Sequence, residues 1–214
     1  HVSRLYAFAR DLGASILVPR YSRYVIDLNR PPDDVSLYPG QNTTGLCPTV
    51  RFSGDPVYLP GEVPAADEIA QRIETYWRPY HDALRDELRR LHAAHERVLL
   101  WEGHSIRGEC PFLFDGRLPD LNIGTVSGAS CVPAVQQRIE AALRTQNDYD
   151  WVVNGRFKGG YITRYYSDPA NGIDAVQLEI AQRIYMDEAS FGYDDALAAR
   201  ARQAIHDLIV ASLG

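Results

Sequence analysis

Cysteine is scarce in this chain of 214 residues: Cys47, Cys110 and Cys131 stand far apart, and no two form a C-x-x-C pair. Three such residues cannot build a disulfide framework, and the usage fits a reducing cytoplasm. Long apolar runs are also missing. None approaches the roughly 20 residues that span a bilayer, and the first residues carry neither a signal-peptide core nor a transit-peptide bias. Positive charge is in deficit, with 22 Lys+Arg against 28 Asp+Glu and a formal net charge of −6. That balance gives no electrostatic reason to expect nucleic acid or an anionic membrane surface, so an anionic ligand has to be held by local arginines. There is no H-E-x-x-H pair and no P-loop spacing. A helix cap is lacking too: an apolar helical pattern (Val2, Leu5, Tyr6, Phe8, Ala9) runs from the first residues without a preceding Ser, Thr, Asp or Asn, so a segment upstream of His1 is expected.

What is present is enough for one substantial core. The hydrophobic fraction is 45%, and the length lies within the range of one domain, taken here as residues 1–214. The patterning predicts a helix over 2–12, strands at 15–18 and 24–26, and a helix over 67–95 bent near Pro79. Further strands are expected at 97–101, 122–126, 151–154, 161–164 and 175–180, with helices over 133–145 and 194–212. Strands alternating with helices argue for an α/β fold, with a mixed, mainly parallel central sheet flanked by helices. Between 31 and 64 the prolines Pro31, Pro32, Pro39, Pro48, Pro56, Pro60 and Pro64 and several glycines leave no room for regular elements; a loop this long inside a domain is usually functional.

Polar residues crown several predicted strands, the place where open α/β sheets bind ligands. Tyr24-Val25-Ile26 leads into Asp27-Leu28-Asn29-Arg30, preceded by Arg20 and Arg23. A guanidinium fork matches a carboxylate and an amide can donate beside it, so the group suits an acidic small molecule; an arginine–aspartate pair bracing the loop is the plainer reading. The apolar run 97–101 opens into Glu102-Gly103-His104-Ser105, which sets His104 apart from His81, His92, His95 and His206, read as helix-surface residues. Glu179 interrupts an apolar strand. If buried in a cleft, its carboxyl would titrate in the range of a general base; alternation equally allows an outward-facing glutamate. The 154–160 segment, with Arg156, Lys158 and its glycines, reads as a flexible basic loop.

Taken in order, Y-S-R-Y-V-I-D-L-N-R-P, W-R-P-Y-H, L-L-W-E-G-H-S-I-R, L-F-D-G-R-L-P-D-L-N-I-G-T, N-G-R-F-K-G-G-Y-I-T-R and A-V-Q-L-E-I-A-Q-R-I-Y-M resemble the N-formylglutamate amidohydrolase family over about residues 20–188. That family is similar in fold to zinc carboxypeptidases and aspartoacylases. The resemblance implies a zinc-dependent deformylase of histidine degradation, converting N-formyl-L-glutamate and water to formate and L-glutamate. It implies His104 as a zinc ligand, Glu179 as general base and Arg23 as oxyanion stabiliser. Asn29 and Arg30 would hold the substrate α-carboxylate, and Arg164 or Arg156 its side-chain carboxylate. Two departures stand out. The family's P-H-x-G and D-T-D-W segments, which look like the source of the other metal ligands, are not in this sequence. Glu102 stands where the family usually has Asp, lengthening a carboxylate that could orient the histidine.

The expectation is therefore a cytoplasmic enzyme, monomeric or a small homo-oligomer, whose partner is a small acidic N-acyl amino acid rather than nucleic acid or membrane. A deacylase or carboxypeptidase-like hydrolase for another N-acyl acidic amino acid, or a non-catalytic binding module for acidic amino acids, are the rival readings.

Overall fold

In a computed structural model describing residues 1–38, 40 and 42–214, so that Pro39 lies outside the described residues, the sheet is built from β1 (Val98–Ile106), β2 (Leu121–Gly124), β3 (Trp151–Val153) and β4 (Ile173–Ala181). Their order across the sheet is β1-β4-β2-β3. β1 runs parallel to β4 and β2 parallel to β3, while β2 and β4 are antiparallel, so two parallel pairs join into one mixed sheet. The helices are α1 (Val2–Leu5), α2 (Ala66–Arg72), α3 (Arg78–Ala94), α4 (Pro133–Thr145), α5 (Tyr161–Tyr166) and α6 (Asp195–Leu213).

Alternation along the two long strands sorts residues between two faces. Val176, Leu178 and Ile180 on β4 join Leu121 and Ile123 on β2, and this face packs on α4 through Val135, Ile139 and Leu143 and on α6 through Ala201, Ile205 and Leu208. Each of the three β4 side chains is fully buried, a contribution of about 2 kcal/mol apiece. On the opposite face Val98, Leu100 and Ile173 pack against Leu84 and Leu88 of α3 and Ile162 and Tyr166 of α5. That second core ends halfway along β1, and beyond it Glu102 and His104 of β1 and Gln177 and Glu179 of β4 occupy the face, with Ile106 at its far end.

The long helix is continuous from α2 to α3 through a π-helical segment, Ile73–Trp77. This irregular segment ends two residues before Pro79, the residue expected to bend the helix, which has no N–H to donate back into the preceding turn. Helix α6 starts on Asp194, whose carboxylate accepts from the Ala196 and Leu197 amides at 2.9 Å each, a side-chain cap that fixes its first turn.

Several local expectations are corrected. The 2–12 helix is the single turn α1 followed by a 3₁₀ turn at Ala7–Arg10. Residues 15–18 and 24–26 form no strand; the Tyr24 and Val25 carbonyls accept from the Tyr58 hydroxyl and the Arg72 guanidinium instead of a sheet neighbour. Residues 161–164 belong to helix α5: the chain comes close to Gly124 of β2 at Gly159 and to Asn29 at Gly160, and Ile162 and Tyr166 then bury on one helical face. The 31–64 segment contains, among the described residues, no helix or strand, only a bridge between Val50 and Pro56.

Candidate active site

Parallel pairing of β1 and β4 sets His104 directly beside Glu179 and Glu102 directly beside Gln177. These four share the face turned away from the α4/α6 core, because each lies an even number of residues from the next on its strand. Asn122 of β2 faces Glu179 from the other side, and its amide donates to the Glu179 carbonyl at 3.1 Å. The sheet thus presents a polar strip where β1 and β4 leave the second apolar core.

His104 Nε2 lies 2.6 Å from Glu102 Oε1. The other oxygen of Glu102 accepts from the Thr163 hydroxyl at 2.6 Å, so α5 and β1 together fix this carboxylate. Burial alone would push the His104 imidazole down, but Glu102, with help from Glu179, carries it up to about 9. Burial pushes the Glu179 carboxyl up to about 7 against the pull of His104 and Arg23, with Glu102 and Asp27 adding to the rise. Glu179 is only 8% exposed, which rules out the outward-facing alternative, and its carboxylate forms the lining of a cleft.

The Asp27–Arg30 turn closes one side of that cleft. Asp27 accepts from Arg23 at 2.5 Å and from the Asn29 amide at 3.0 Å. Burial opposes charge on both partners of the pair, yet their mutual attraction keeps the Asp27 carboxyl low and the Arg23 guanidinium high. Asn29 Oδ1 accepts from the Ile162 amide at 2.9 Å, which turns its NH2 toward His104 Nε2 at 3.2 Å. Gly160 permits this approach, since a Cβ there would collide with the Asn29 amide group.

Arg30 and Arg156 also line the cleft. Neither is in an ion pair among the described residues, the Nε of each is buried without a partner, and burial lowers both guanidinium pKa values. Two partly buried cations with no carboxylate in direct contact create a site for anionic groups. Arg164 is placed elsewhere: it donates to the Gly159 carbonyl at 2.9 Å, lies over the Tyr38 ring, and lines a shallow depression with Asp33 and Tyr165. The cleft therefore brings together Arg23, Asn29, Arg30, His104, Arg156 and Glu179, and Arg164 does not line it.

Several cleft residues were not singled out from the sequence. Gln177, whose Oε1 accepts from the Gly160 amide at 2.7 Å, was legible by parity with Glu179. Tyr38, Asn42, Thr43, Thr44 and Phe52 come from the proline-rich loop, where breaker density marks the segment without marking a residue. His81, read as a surface residue, is 2% exposed and hydrogen bonded on both ring nitrogens.

A zinc site is a separate matter. His104 Nε2 is engaged by Glu102, and among the described residues no group of three or more His, Cys, Asp or Glu side chains could hold a metal ion. A catalytic zinc takes three protein ligands, so these residues do not make such a site by themselves.

The comparisons with known proteins agree with one another. The family model for N-formylglutamate amidohydrolase matches residues 1–186. The chain is 50% identical over 214 residues to an N-formylglutamate deformylase of Pseudomonas putida, covering 100% of this chain and 80% of the relative. It is 51% identical over 210 residues to an N-formylglutamate deformylase of Pseudomonas aeruginosa, covering 98% of this chain and 79% of the relative. In fold it matches the crystal structure of an N-formylglutamate amidohydrolase from Ralstonia eutropha, with a TM-score of 0.82 at 24% identity over 100% of this chain and 81% of that one. A gene product of Agrobacterium tumefaciens matches with a TM-score of 0.67 at 20% identity, over 91% of this chain and 68% of that one. On the family model and the two deformylases alike, this chain belongs to the N-formylglutamate amidohydrolase family.

Proposed function

We propose that the protein hydrolyses N-formyl-L-glutamate to formate and L-glutamate. The observation that carries this reading is a buried carboxyl raised to about 7, Glu179, facing the same cleft as two arginines that, among the described residues, are in no ion pair and each bury an unpartnered Nε. A substrate with two carboxylates supplies what those arginines lack. In this reading Asn29 and Arg30 receive the α-carboxylate and Arg156 the side-chain carboxylate, leaving the formyl group toward His104 and Glu179.

Glu179 takes the proton from the attacking water, and the C–N bond breaks as the same proton passes to the leaving amine nitrogen. Arg23, held by Asp27 but with its Nε unpartnered, faces the oxygen on which charge develops; a positioned donor of this kind is worth about 3 kcal/mol of barrier. The zinc dependence expected from the family resemblance would engage His104 as one ligand of several and would lower the pKa of a bound water. Metal content of the purified protein, with activity before and after chelation and zinc return, tests that element separately. Among the described residues no helix is long and apolar enough to cross a membrane; a cytoplasmic location is part of the proposal.

Incubation with N-formyl-, N-acetyl- and N-succinyl-L-glutamate, with product amines and acids quantified, tests the activity. Formate release well above the rates for the bulkier acyl groups is expected. Preference for an N-acetyl substrate would move the protein to the wider deacylase reading, and tight binding of all three without turnover to the binding-module reading.

A further inference from the structure

Asn29 and Arg30 sit in irregular backbone, where no ladder fixes the direction of a side chain. Yet three consecutive carbonyls there each receive a donor. The Leu28 carbonyl accepts from His81 Nε2 at 2.9 Å, the Asn29 carbonyl from the Tyr161 amide at 3.4 Å, and the Arg30 carbonyl from Trp77 Nε1 at 2.9 Å. Two of these donors are side chains one helical turn apart. Trp77 ends the π-helical segment and His81 follows it in α3. Their rings stack at 3.8 Å between centroids, and both residues are buried.

The hydrogen bonds determine the tautomer of His81. A carbonyl oxygen can only accept, so Nε2 carries the proton and Nδ1 accepts from the Tyr166 hydroxyl at 2.9 Å. The ring stays neutral, because burial pushes its pKa down to about 4. A π segment shifts helical register by one residue, and such segments are frequent at functional sites. Here the two donors reach the peptides on either side of the Asn29-Arg30 pair.

We propose that Trp77 and His81 are positioning residues for substrate binding: by clamping the Leu28 and Arg30 carbonyls they aim the Asn29 amide and the Arg30 guanidinium into the cleft. This rests on the reading above in which those two groups receive the α-carboxylate. Neither Trp77 nor His81 lines the cleft, so their effect reaches the substrate only through the turn. The clamp ties the long helix, which carries none of the groups assigned to the chemistry, to the specificity of the site.

The test compares Trp77→Phe, His81→Asn, His81→Gln and Arg30→Gln in the whole protein, with kcat and KM for N-formyl-L-glutamate. Phenylalanine keeps the stack and loses the Nε1 donor. Glutamine places its amide nitrogen near the position of Nε2, whereas asparagine reaches only the position of Nδ1. KM is expected to rise about tenfold in Trp77→Phe and His81→Asn with kcat within about threefold, the size of one lost hydrogen bond. His81→Gln should recover most of the loss, and Arg30→Gln should show at least as large a rise in KM. A substrate in which the α-carboxylate is an amide should show no difference between Trp77→Phe and wild type.

Wild-type KM in Trp77→Phe and His81→Asn alongside a raised KM in Arg30→Gln would overturn the clamp and leave the assignment of the cleft standing. An unchanged KM in Arg30→Gln would remove the α-carboxylate assignment and the clamp with it. Should His81→Asn fail to fold, amide exchange in residues 27–30 of Trp77→Phe decides: faster exchange supports the clamp, and an unchanged rate overturns it.

Discussion

Strand β4 carries two different molecules on its two sides. Val176, Leu178 and Ile180 enter an apolar core closed by α4 and α6, while Gln177 and Glu179, their immediate neighbours in sequence, face a polar cleft closed by the Asp27–Arg30 turn and the proline-rich loop. Both sets are buried, but burial acts oppositely on them. It stabilises the apolar side chains and holds the Glu179 carboxyl up to about 7, a cost in stability that creates reactivity. One alternation therefore separates what keeps the chain folded from what the cleft can do.

Substitutions on either side sharpen the contrast. The largest effect belongs to Glu179→Gln: turnover of N-formyl-L-glutamate should fall by about a thousandfold, while the melting temperature does not drop, because an ionisable group buried in the cleft has been replaced by a neutral one of the same shape. One residue earlier, Leu178→Ala should do the reverse. Unfolding in urea should show a loss of about 3 kcal/mol, with KM for the remaining folded protein little changed.

Gly160→Ala probes how closely the two regions are joined. Its methyl group would displace the Asn29 amide, so kcat/KM should fall about thirtyfold with the far-ultraviolet spectrum unaltered. The smallest effect is a pH dependence of stability. His81 is neutral in the fold, with a pKa pushed down to about 4 by burial, against about 6.5 in the unfolded chain. The unfolded state therefore binds more protons below about pH 6.5, and the stability present above that pH is lost as pH falls toward 4. Between pH 7 and 5 the melting temperature of the wild type should drop about 5 °C further than that of His81→Gln.

The same contrast explains what the sequence made legible. Elements whose apolar pattern packs on the large core read correctly: α4 at 133–145, α6 and β4, because many side chains at a fixed period point the same way; β1, expected at 97–101, runs on to Ile106, because polar residues end its apolar run without ending its sheet pairing. His104 was legible as a polar residue following an apolar run, and Glu179 as one interrupting an apolar strand; both lie within strands. Tyr24-Val25-Ile26 misled because β-branched and aromatic residues favour extended backbone wherever they occur, and only the distant Tyr58, Leu46 and Arg72 decide that no sheet neighbour is there. Tyr161–Tyr166 is too short to show a helical period, and His81 looks like any histidine on a charged helix until the Asp27–Arg30 turn is laid against it. The cleft wall from the proline-rich loop was marked as a segment but not by residue, since irregular backbone has no period to read.

The central claim is that Glu179 supplies reactivity and the arginines supply binding. Calorimetric titration of N-formyl-L-glutamate into Glu179→Gln addresses it most directly. The account predicts a dissociation constant close to the wild-type KM and no formate in the cell afterwards. Loss of binding, or formate accumulating at a rate near that of the wild type, would contradict it.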